Sequence, residues 1–337
     1  MRHPCSPHGK MSLVRVVKHS ARHDRCRQGK HPSRVAENRS GPPQRKEGIV
    51  ISEYPNITNQ ITMVLLFCQA VEHAAAEQGL NSGREYLLLK RIARKDGSSE
   101  RNIANSMNMQ VSSASGMLNF MASEGMIRFD RSQDDGRRIR CHVTDAGLDL
   151  VSRCEQSIDE RIDDILEPVA VGKRSFLDMG MVATAISLRR AECDERGFNR
   201  NSAYAESCLR FRRKLIEITR SFDSSLNGFR LLLLLGEYPD GMRPKDACSR
   251  LLLKKSTLSS VANTLVRREL VDRTVDTRDK RTQILRNSKT GENLAARIVV
   301  PIENHFMFGP KNSDKQERTM YGRVAEDIVN AWSTHYP

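Results

Sequence analysis

Apolar residues recur at helical spacing along most of the chain after residue 56, and short polar turns separate the runs. The pattern predicts helices over Ile57–Gln78, Gly83–Arg94, Ser99–Met107 and Val111–Glu124, then strands over Met126–Asp130 and Arg138–Val143. Gly125 follows the fourth helix as a C-cap, and Asp135-Gly136 is typical of a hairpin turn. A long helix from Thr144 towards Leu166 and another over Lys173–Ala191 complete the series.

The same series occurs a second time. Residues 87–147 align without gaps on residues 231–291, with 11 identities in 61 positions. Apolar positions also stay apolar in this register, as Met121 and Leu265 do. The period is too long for a solenoid repeat, so we interpret the chain as a duplicated domain.

The second copy predicts the same elements in the same order. Its helices cover Ser202–Phe222, Ser225–Gly236, Arg243–Arg250, Lys254–Arg268, Thr290–Phe306 and Asp314–Ser333, and its strands cover Leu270–Thr274 and Arg281–Arg286. The polar segment Glu192–Asn201 reads as a linker between the copies. Each copy is therefore a predicted winged helix-turn-helix. The expected fold class is mainly α with small β-hairpin wings (α+β).

Composition excludes several classes of protein. The longest apolar stretch, Ile61 to Val71, is shorter than the ~20 residues that span a bilayer. No apolar segment follows the basic N-terminal residues, as it would in a signal peptide. Eight cysteines are scattered without a CxxC pair. We expect a reduced, cytoplasmic protein with no membrane segment, no metal site and no cofactor.

The net charge of +14 is concentrated in residues 1–47, which hold 12 Lys and Arg against three acidic residues. This tail is rich in Arg, His and Pro and lacks apolar periodicity, so we expect it to be disordered. A basic arm can bind nucleic acid. The composition fits equally well a segment upstream of the native start, and we assign the tail no function. The remaining chain is only mildly basic.

Catalytic signatures are missing from the sequence. Outside the tail the histidines are His73, His142, His305 and His335, and none lies in a motif with a nucleophile. The sequence also contains no GxGxxG, P-loop or HExxH pattern. We therefore expect a binding protein and not an enzyme.

Each copy resembles a MarR-type (multiple antibiotic resistance regulator) transcription factor. The first copy carries Asp135, Arg137, Thr144 and Gly147 at the spacing of that family's wing, and the second carries Asp279, Arg281, Ser288 and Gly291. The resemblance covers residues 56–192 and 202–335, which we take as the two domains. It implies a DNA-binding transcription regulator, expected to be a repressor, with double-stranded DNA as its partner.

Members of this family usually have one domain per chain and bind DNA as homodimers joined by their first and last helices. Two fused copies imply an intramolecular pseudo-dimer with a dimer-like helical core. A homodimer of tandem chains stays open as an alternative. Because the copies differ at most candidate contacts, the resemblance implies an imperfect inverted repeat as the DNA site, with half-sites about one helical turn apart.

A recognition helix presents polar and basic side chains to the major groove. The first copy offers Gln110, Ser112, Ser113, Ser115 and Asn119, and the second offers Lys254, Lys255, Ser256, Thr257, Ser259 and Asn263. The alternatives are an N-terminal cap formed by Ser112 or Ser113 and a solvated lysine pair.

The wings add a second set of candidates. By resemblance, Arg137 and Arg281 reach the minor groove or flanking phosphates, while Asp135 and Asp279 orient the wings. Arg131, Arg138 and Lys280 are supporting candidates for phosphate contacts. The alternative is that both hairpin tips are solvated loops.

The resemblance also implies a small aromatic or phenolic ligand that binds between the dimerisation helices and the DNA-binding lobe and releases DNA. Cys68 and Cys208 lie on the two first helices, so oxidant sensing is a second option, although a buried helix cysteine is more often a core residue. The rival function is a degenerate tandem winged helix that binds proteins. The absence of Lys and Arg from Gln110 to Ala122 favours that rival, and the basic wings oppose it.

Overall fold

The computed structural model describes residues 56–131, 139–187, 199–275, 283–305 and 315–334. Within these ranges the chain is mainly helical with small antiparallel hairpins, which confirms the predicted fold class. Gly48–Pro337 forms one compact unit. The two copies are thus joined in a single body, and the boundaries 56–192 and 202–335 remain predictions. The tail of residues 1–47 lies outside the described residues.

The first copy follows the predicted order. Its helices are α1 (Ile57–Glu77), α2 (Gly83–Arg94), α3 (Glu100–Ser106), α4 (Val111–Ser123), α5 (Asp145–Leu166) and α6 (Val171–Ser187), and its strands are β1 (Ser98–Ser99), β2 (Ile127–Arg131) and β3 (Ile139–Val143). The two-residue strand β1 is an addition to the prediction. It pairs with β3, giving an antiparallel sheet in the order β1-β3-β2.

The second copy repeats this plan. Its helices are α7 (Arg200–Ser221), α8 (Leu226–Glu237), α9 (Pro244–Leu251), α10 (Lys255–Arg267), α11 (Lys289–His305) and α12 (Lys315–Ser333), and its strands are β4 (Val271–Val275) and β5 (Gln283–Asn287). A single bridge between Met242 and Leu285 stands where the first copy has β1. Helix α7 begins at Arg200, inside the segment predicted as linker.

The first and last helices of the two copies pack together. Helix α1 contacts both α7 and α12, and α6 contacts the same two helices. The ring of Phe67 on α1 meets that of Tyr204 on α7 edge-on, with centroids 4.8 Å apart, and Phe176 on α6 packs against Tyr321 on α12. These buried contacts form the dimer-like helical core within one chain.

The second copy also holds the helix-turn-helix of the first. Glu206 on α7 is buried and pairs with Arg91 of α2 at 3.0 Å and with Arg210 at 2.7 Å. The guanidinium groups of Arg91 and Arg210 both donate to the Ser106 carbonyl at the end of α3. Arg213 donates to the Asn108 carbonyl in the turn before α4. These bonds tie the position of α4 to the neighbouring copy.

We call the helix-turn-helix and wing of each copy its lobe: α2 to β3 form the first lobe, and α8 to β5 form the second. A different residue makes the corresponding link in the second lobe. Arg230 on α8 is buried and donates to the Leu251 carbonyl at the end of α9. The same guanidinium nitrogen donates at 3.0 Å to the Thr62 hydroxyl of α1, in the first copy. Thr58 of α1 also donates to Glu237 at the end of α8, at 2.6 Å. Both helix-turn-helix units are therefore anchored to the first helix of the other copy.

The Thr-x-x-Gly spacing after each wing has a structural basis. The Thr144 hydroxyl caps α5 by accepting from the Gly147 amide at 3.1 Å, and it donates to the Gly125 carbonyl at 2.7 Å. Ser288 repeats this arrangement with the Gly291 amide and the Glu269 carbonyl. The cap thus joins the wing and the end of the recognition helix to the following long helix.

We expect Gly147→Ala to destabilise the protein by about 1–3 kcal/mol. A Cβ atom at this position would lie 2.1 Å from the Met126 carbonyl oxygen, so the backbone at the wing base has to move. At Gly116, on α4, an added Cβ meets nothing within 4 Å. The matched control Gly116→Ala should therefore stabilise the protein by about 0.5–1 kcal/mol. Urea unfolding followed by circular dichroism measures the stability of both variants. Equal unfolding midpoints for the two variants would contradict the close contact between position 147 and the wing base.

We expect Glu206→Ala to cost about 3–5 kcal/mol of unfolding free energy, because Arg91 and Arg210 lose their buried carboxylate. Glu217 on the same helix offers a control, since its pair with Lys214 is exposed. Glu217→Ala should cost less than about 1 kcal/mol. Urea unfolding of the two variants side by side is the measurement. A Glu206→Ala variant as stable as the control would show that the cluster does not join the copies.

Candidate nucleic-acid interface

Helix α4 presents a polar surface to solvent. Gln110, Ser112, Ser113 and Asn119 are exposed and Ser115 is half-buried, while Ala114, Leu118 and Met121 face the core. Gln110 is the N-cap residue, and its side chain makes no capping hydrogen bond. Ser112 and Ser113 lie inside the helix, so the alternative that one of them is the cap is wrong. All five candidates are thus at least partly open to solvent, on α4 or at its N-cap.

Helix α10 presents the corresponding surface of the second lobe. Lys254, Lys255, Ser256, Ser259 and Asn263 are exposed, and Thr257 is half-buried. The two lysines stand at the helix N-terminus, and neither takes part in an ion pair within the described part of the chain. Because the apolar side of α10 is buried through Leu258, Ala262 and Leu265, these polar groups are held outward.

Most of the wing candidates cannot be placed in the same way. Asp135, Arg137, Arg138, Asp279, Lys280 and Arg281 lie outside the described residues. Arg131 ends β2, and its side chain is also outside the description. The described parts of the wings are the paired strands, β2 with β3 and β4 with β5.

Each wing is fastened at its base to the turn that follows the second helix of its copy. His142 of β3 lies 2.7 Å from the Asp96 carboxylate, which also accepts from the Val143 amide. Burial acts to raise the pKa of Asp96, but these hydrogen bonds outweigh it and the pKa is lowered. In the second copy Arg286 donates to the Asp240 carbonyl at 2.7 Å. The wing strand is thus hydrogen-bonded to this turn in both copies, but by different side chains.

The structure adds one residue that the sequence patterns do not single out. Arg273 of β4 is exposed, and its guanidinium donates to the Asn263 amide oxygen on α10 at 2.9 Å. Strand alternation could have indicated Arg273 from the sequence. Arg273 lies two residues after the buried Val271, so both side chains stand on the same face of β4. At the corresponding position of the first copy stands Phe129, which is partly exposed.

A cleft of about 490 Å³ lies between the second lobe and α12. Its lining includes Tyr238, Arg243, Asp246, Arg250 and Asn330. The Arg250 guanidinium stacks over the Tyr238 ring, 5.0 Å from its centroid. Burial raises the pKa of the nearby Glu237 carboxyl, which the Thr58 hydrogen bond and Arg250 partly offset. The cleft therefore combines an aromatic side chain with two cations and the Asp246 carboxylate.

The candidate redox residues are deeply buried. Burial raises the pKa of the Cys68 thiol to about 12, and it raises the pKa of Cys208 as well. Since the thiolate is the reactive form, these environments disfavour oxidation. Within the described ranges, no group of three His, Cys, Asp or Glu could hold a metal ion. The helices seen in these ranges are also too short or too polar to cross a membrane.

Comparison with solved structures finds several regulators that align with part of this chain. PcaV of Streptomyces coelicolor, in complex with its natural ligand, is 20% identical, with 32% of this chain and 77% of that chain covered and a TM-score of 0.28. CouR of Rhodococcus jostii RHA1, bound to p-coumaroyl-CoA, is 19% identical, with 32% and 75% covered and a TM-score of 0.28. The repressor CouR bound to a 23-mer DNA duplex is 21% identical, with 34% and 80% covered and a TM-score of 0.31.

Among curated proteins no significant match was found. Two family-level matches cover the centres of the two copies. A model of the MarR family matches residues 82–139, and a second model of the same family matches residues 225–282. The matched segments correspond to each other in the internal repeat and contain the helix-turn-helix of each copy. Over residues 82–139 and 225–282 the chain therefore carries two MarR-type winged helix-turn-helix units in tandem.

Proposed function

We propose that this protein is a repressor that binds one imperfect inverted repeat in DNA as an intramolecular pseudo-dimer. The observation that carries the proposal is the anchoring of both helix-turn-helix units to the opposite first helix, through Glu206 in one lobe and Arg230 in the other. Two recognition surfaces held by one rigid core require half-sites at one spacing. The exposed residues of α4 and α10 are the proposed base-reading groups.

The proposed function is tested by selecting, from fragmented genomic DNA, the fragments that the protein binds. The full chain is incubated with fragmented genomic DNA, and the retained fragments are sequenced. One enriched inverted repeat with unequal halves, whose fusion to a reporter gene is silenced by the protein, supports a specific repressor. An activated reporter would support regulation and contradict repression.

One observation favours the rival function as a protein-binding module. The first lobe has no Lys or Arg on α4, and Phe129 and Ile139 expose apolar surface on its wing. Salt dependence separates the two functions, because DNA binding that neutralises several phosphates weakens steeply as salt is raised. No enrichment of any fragment at low salt would favour the protein-binding function.

Regulation by a small aromatic acid is part of the proposal. The cleft beside α12 offers apolar contact with Tyr238, and Arg243 and Arg250 for a carboxylate. Because the cleft lies between the second lobe and the helical core, an occupant there would bias the position of that lobe. Ligand binding and DNA binding would then be coupled through two states of the lobe.

We expect Arg137→Ala and Arg281→Ala each to weaken operator binding about tenfold, because each removes a wing cation that the family resemblance places against DNA. The affinity is measured by fluorescence anisotropy with the enriched operator. The control is Lys315→Ala, since Lys315 is exposed at the start of α12. Circular dichroism checks that the fold is intact. Unchanged affinity in the double wing variant would contradict the wing assignment.

We expect hydroxybenzoates to release the wild-type protein from its operator and to release Arg250→Ala poorly. The variant should keep its affinity for DNA in the absence of the acid, because Arg250 lines the cleft and not the exposed surface of α10. Anisotropy titrations with each acid measure release. Equal release of both proteins would place the ligand elsewhere, and no release of the wild type would contradict regulation by this class of compound.

A further inference from the structure

The two recognition surfaces have the same framework and different chemistry. Helices α4 and α10 have equal lengths and stand at the same place in the repeat, as do strands β2 and β4. On this framework Val111 of the first lobe corresponds to Lys255 of the second, and Phe129 corresponds to Arg273. The first lobe thus has apolar side chains at two positions where the second has cations.

The apolar positions of the first lobe are open to solvent. Val111 is 43% exposed at the start of α4, and Phe129 and Ile139 on the wing are 38% and 51% exposed. Apolar side chains at a DNA surface can contact the C5-methyl group of thymine, which the major groove presents. Cations at these positions would instead favour guanine or phosphate oxygens.

Asn119 of α4 and Asn263 of α10 occupy the same position in the repeat, but their amide groups differ in the hydrogen bonds that they already make. In the second lobe the Asn263 amide oxygen already accepts from Arg273 at 2.9 Å. In the first lobe Asn119 is exposed, and its side chain bonds to no other described residue. Bidentate recognition of adenine uses both the oxygen and the nitrogen of an amide side chain. Asn119 can supply both, whereas the Asn263 oxygen already accepts one hydrogen bond and keeps one lone pair for a base.

We propose that the two lobes read half-sites of different base composition. The first lobe reads an A·T-rich half-site, through Asn119 on adenine and Val111 on a thymine methyl group. The second lobe reads a half-site that contains guanine, through Lys255, with Arg273 beside it. This inference rests on the proposed function and names the sequence class that the same surfaces recognise.

Electrostatics gives the proposal a second consequence. Lys254 and Lys255 place two cations at the start of α10, whereas α4 has none. Of the two helices, α10 therefore contributes phosphate neutralisation, and with it a dependence of affinity on salt, that α4 does not, while the wings of both lobes carry arginines.

The test begins with selection from a library of random duplexes by the full chain. We expect enriched sites with one A·T-rich half and one half with a fixed guanine. An enriched repeat whose halves have the same composition would overturn this inference and leave the proposed function standing. If no sequence is enriched, both the inference and the proposed function fail.

Uracil then tests the thymine contact, because it lacks only the C5-methyl group. Replacing the contacted thymine of the A·T-rich half by uracil should weaken wild-type binding about fourfold. Val111→Ala should bind the thymine site more weakly and lose its sensitivity to uracil. Wild-type binding that ignores uracil at every thymine of this half would overturn the assignment of Val111.

The second lobe is tested with Lys255→Met, which leaves an unbranched side chain one heavy atom shorter and removes its charge. This variant should lose the preference for guanine and lower the slope of log affinity against log salt by about 1. Asn119→Ala should relax the preference for adenine in the other half and leave the salt slope unchanged. Thermal unfolding verifies that each variant is folded. A guanine preference that survives in Lys255→Met would overturn the assignment of Lys255.

Discussion

Helices α1 and α7 pack together through buried side chains, among them Phe67 edge-on against Tyr204, and the rest of the structure depends on this contact. It joins the two copies in one core, from which each helix-turn-helix is held by the opposite first helix. The buried Glu206 and the buried Arg230 make these links with different chemistry. Since a buried charge that loses its partner is costly, the two lobes resist moving independently. Their spacing is consequently a property of the folded chain.

Fusion removes a constraint that applies to a homodimer. Two identical subunits must present the same side chains to both half-sites, whereas the two copies here can change separately. The exchange of Val111 for Lys255 and of Phe129 for Arg273 occurs on a shared framework of caps, strands and helices. The geometry that the two copies share therefore determines the position of each recognition surface. The side chains that differ between the copies determine which bases each surface is proposed to recognise.

Helical periodicity and cap residues are sufficient to predict the twelve helices of the described residues to within a few residues, since most of these helices have one buried face. They could not predict β1, because two residues carry no periodic signal. The contacts of Glu206 and Arg230 were also beyond reach, since they depend on which helices of the two copies meet. Likewise, the bond between Arg273 and Asn263 depends on how the wing packs against α10. Sequence periodicity predicts the individual helices and strands, whereas contacts between these elements can be identified only once the fold is known.

The number of chains bound to one operator distinguishes an intramolecular pseudo-dimer from a homodimer of tandem chains. Sedimentation equilibrium of the full chain with a single enriched duplex gives the mass of the complex. We expect one chain of 38.2 kDa per duplex, because one chain supplies both recognition helices. A complex that contains two chains on a single inverted repeat would contradict it.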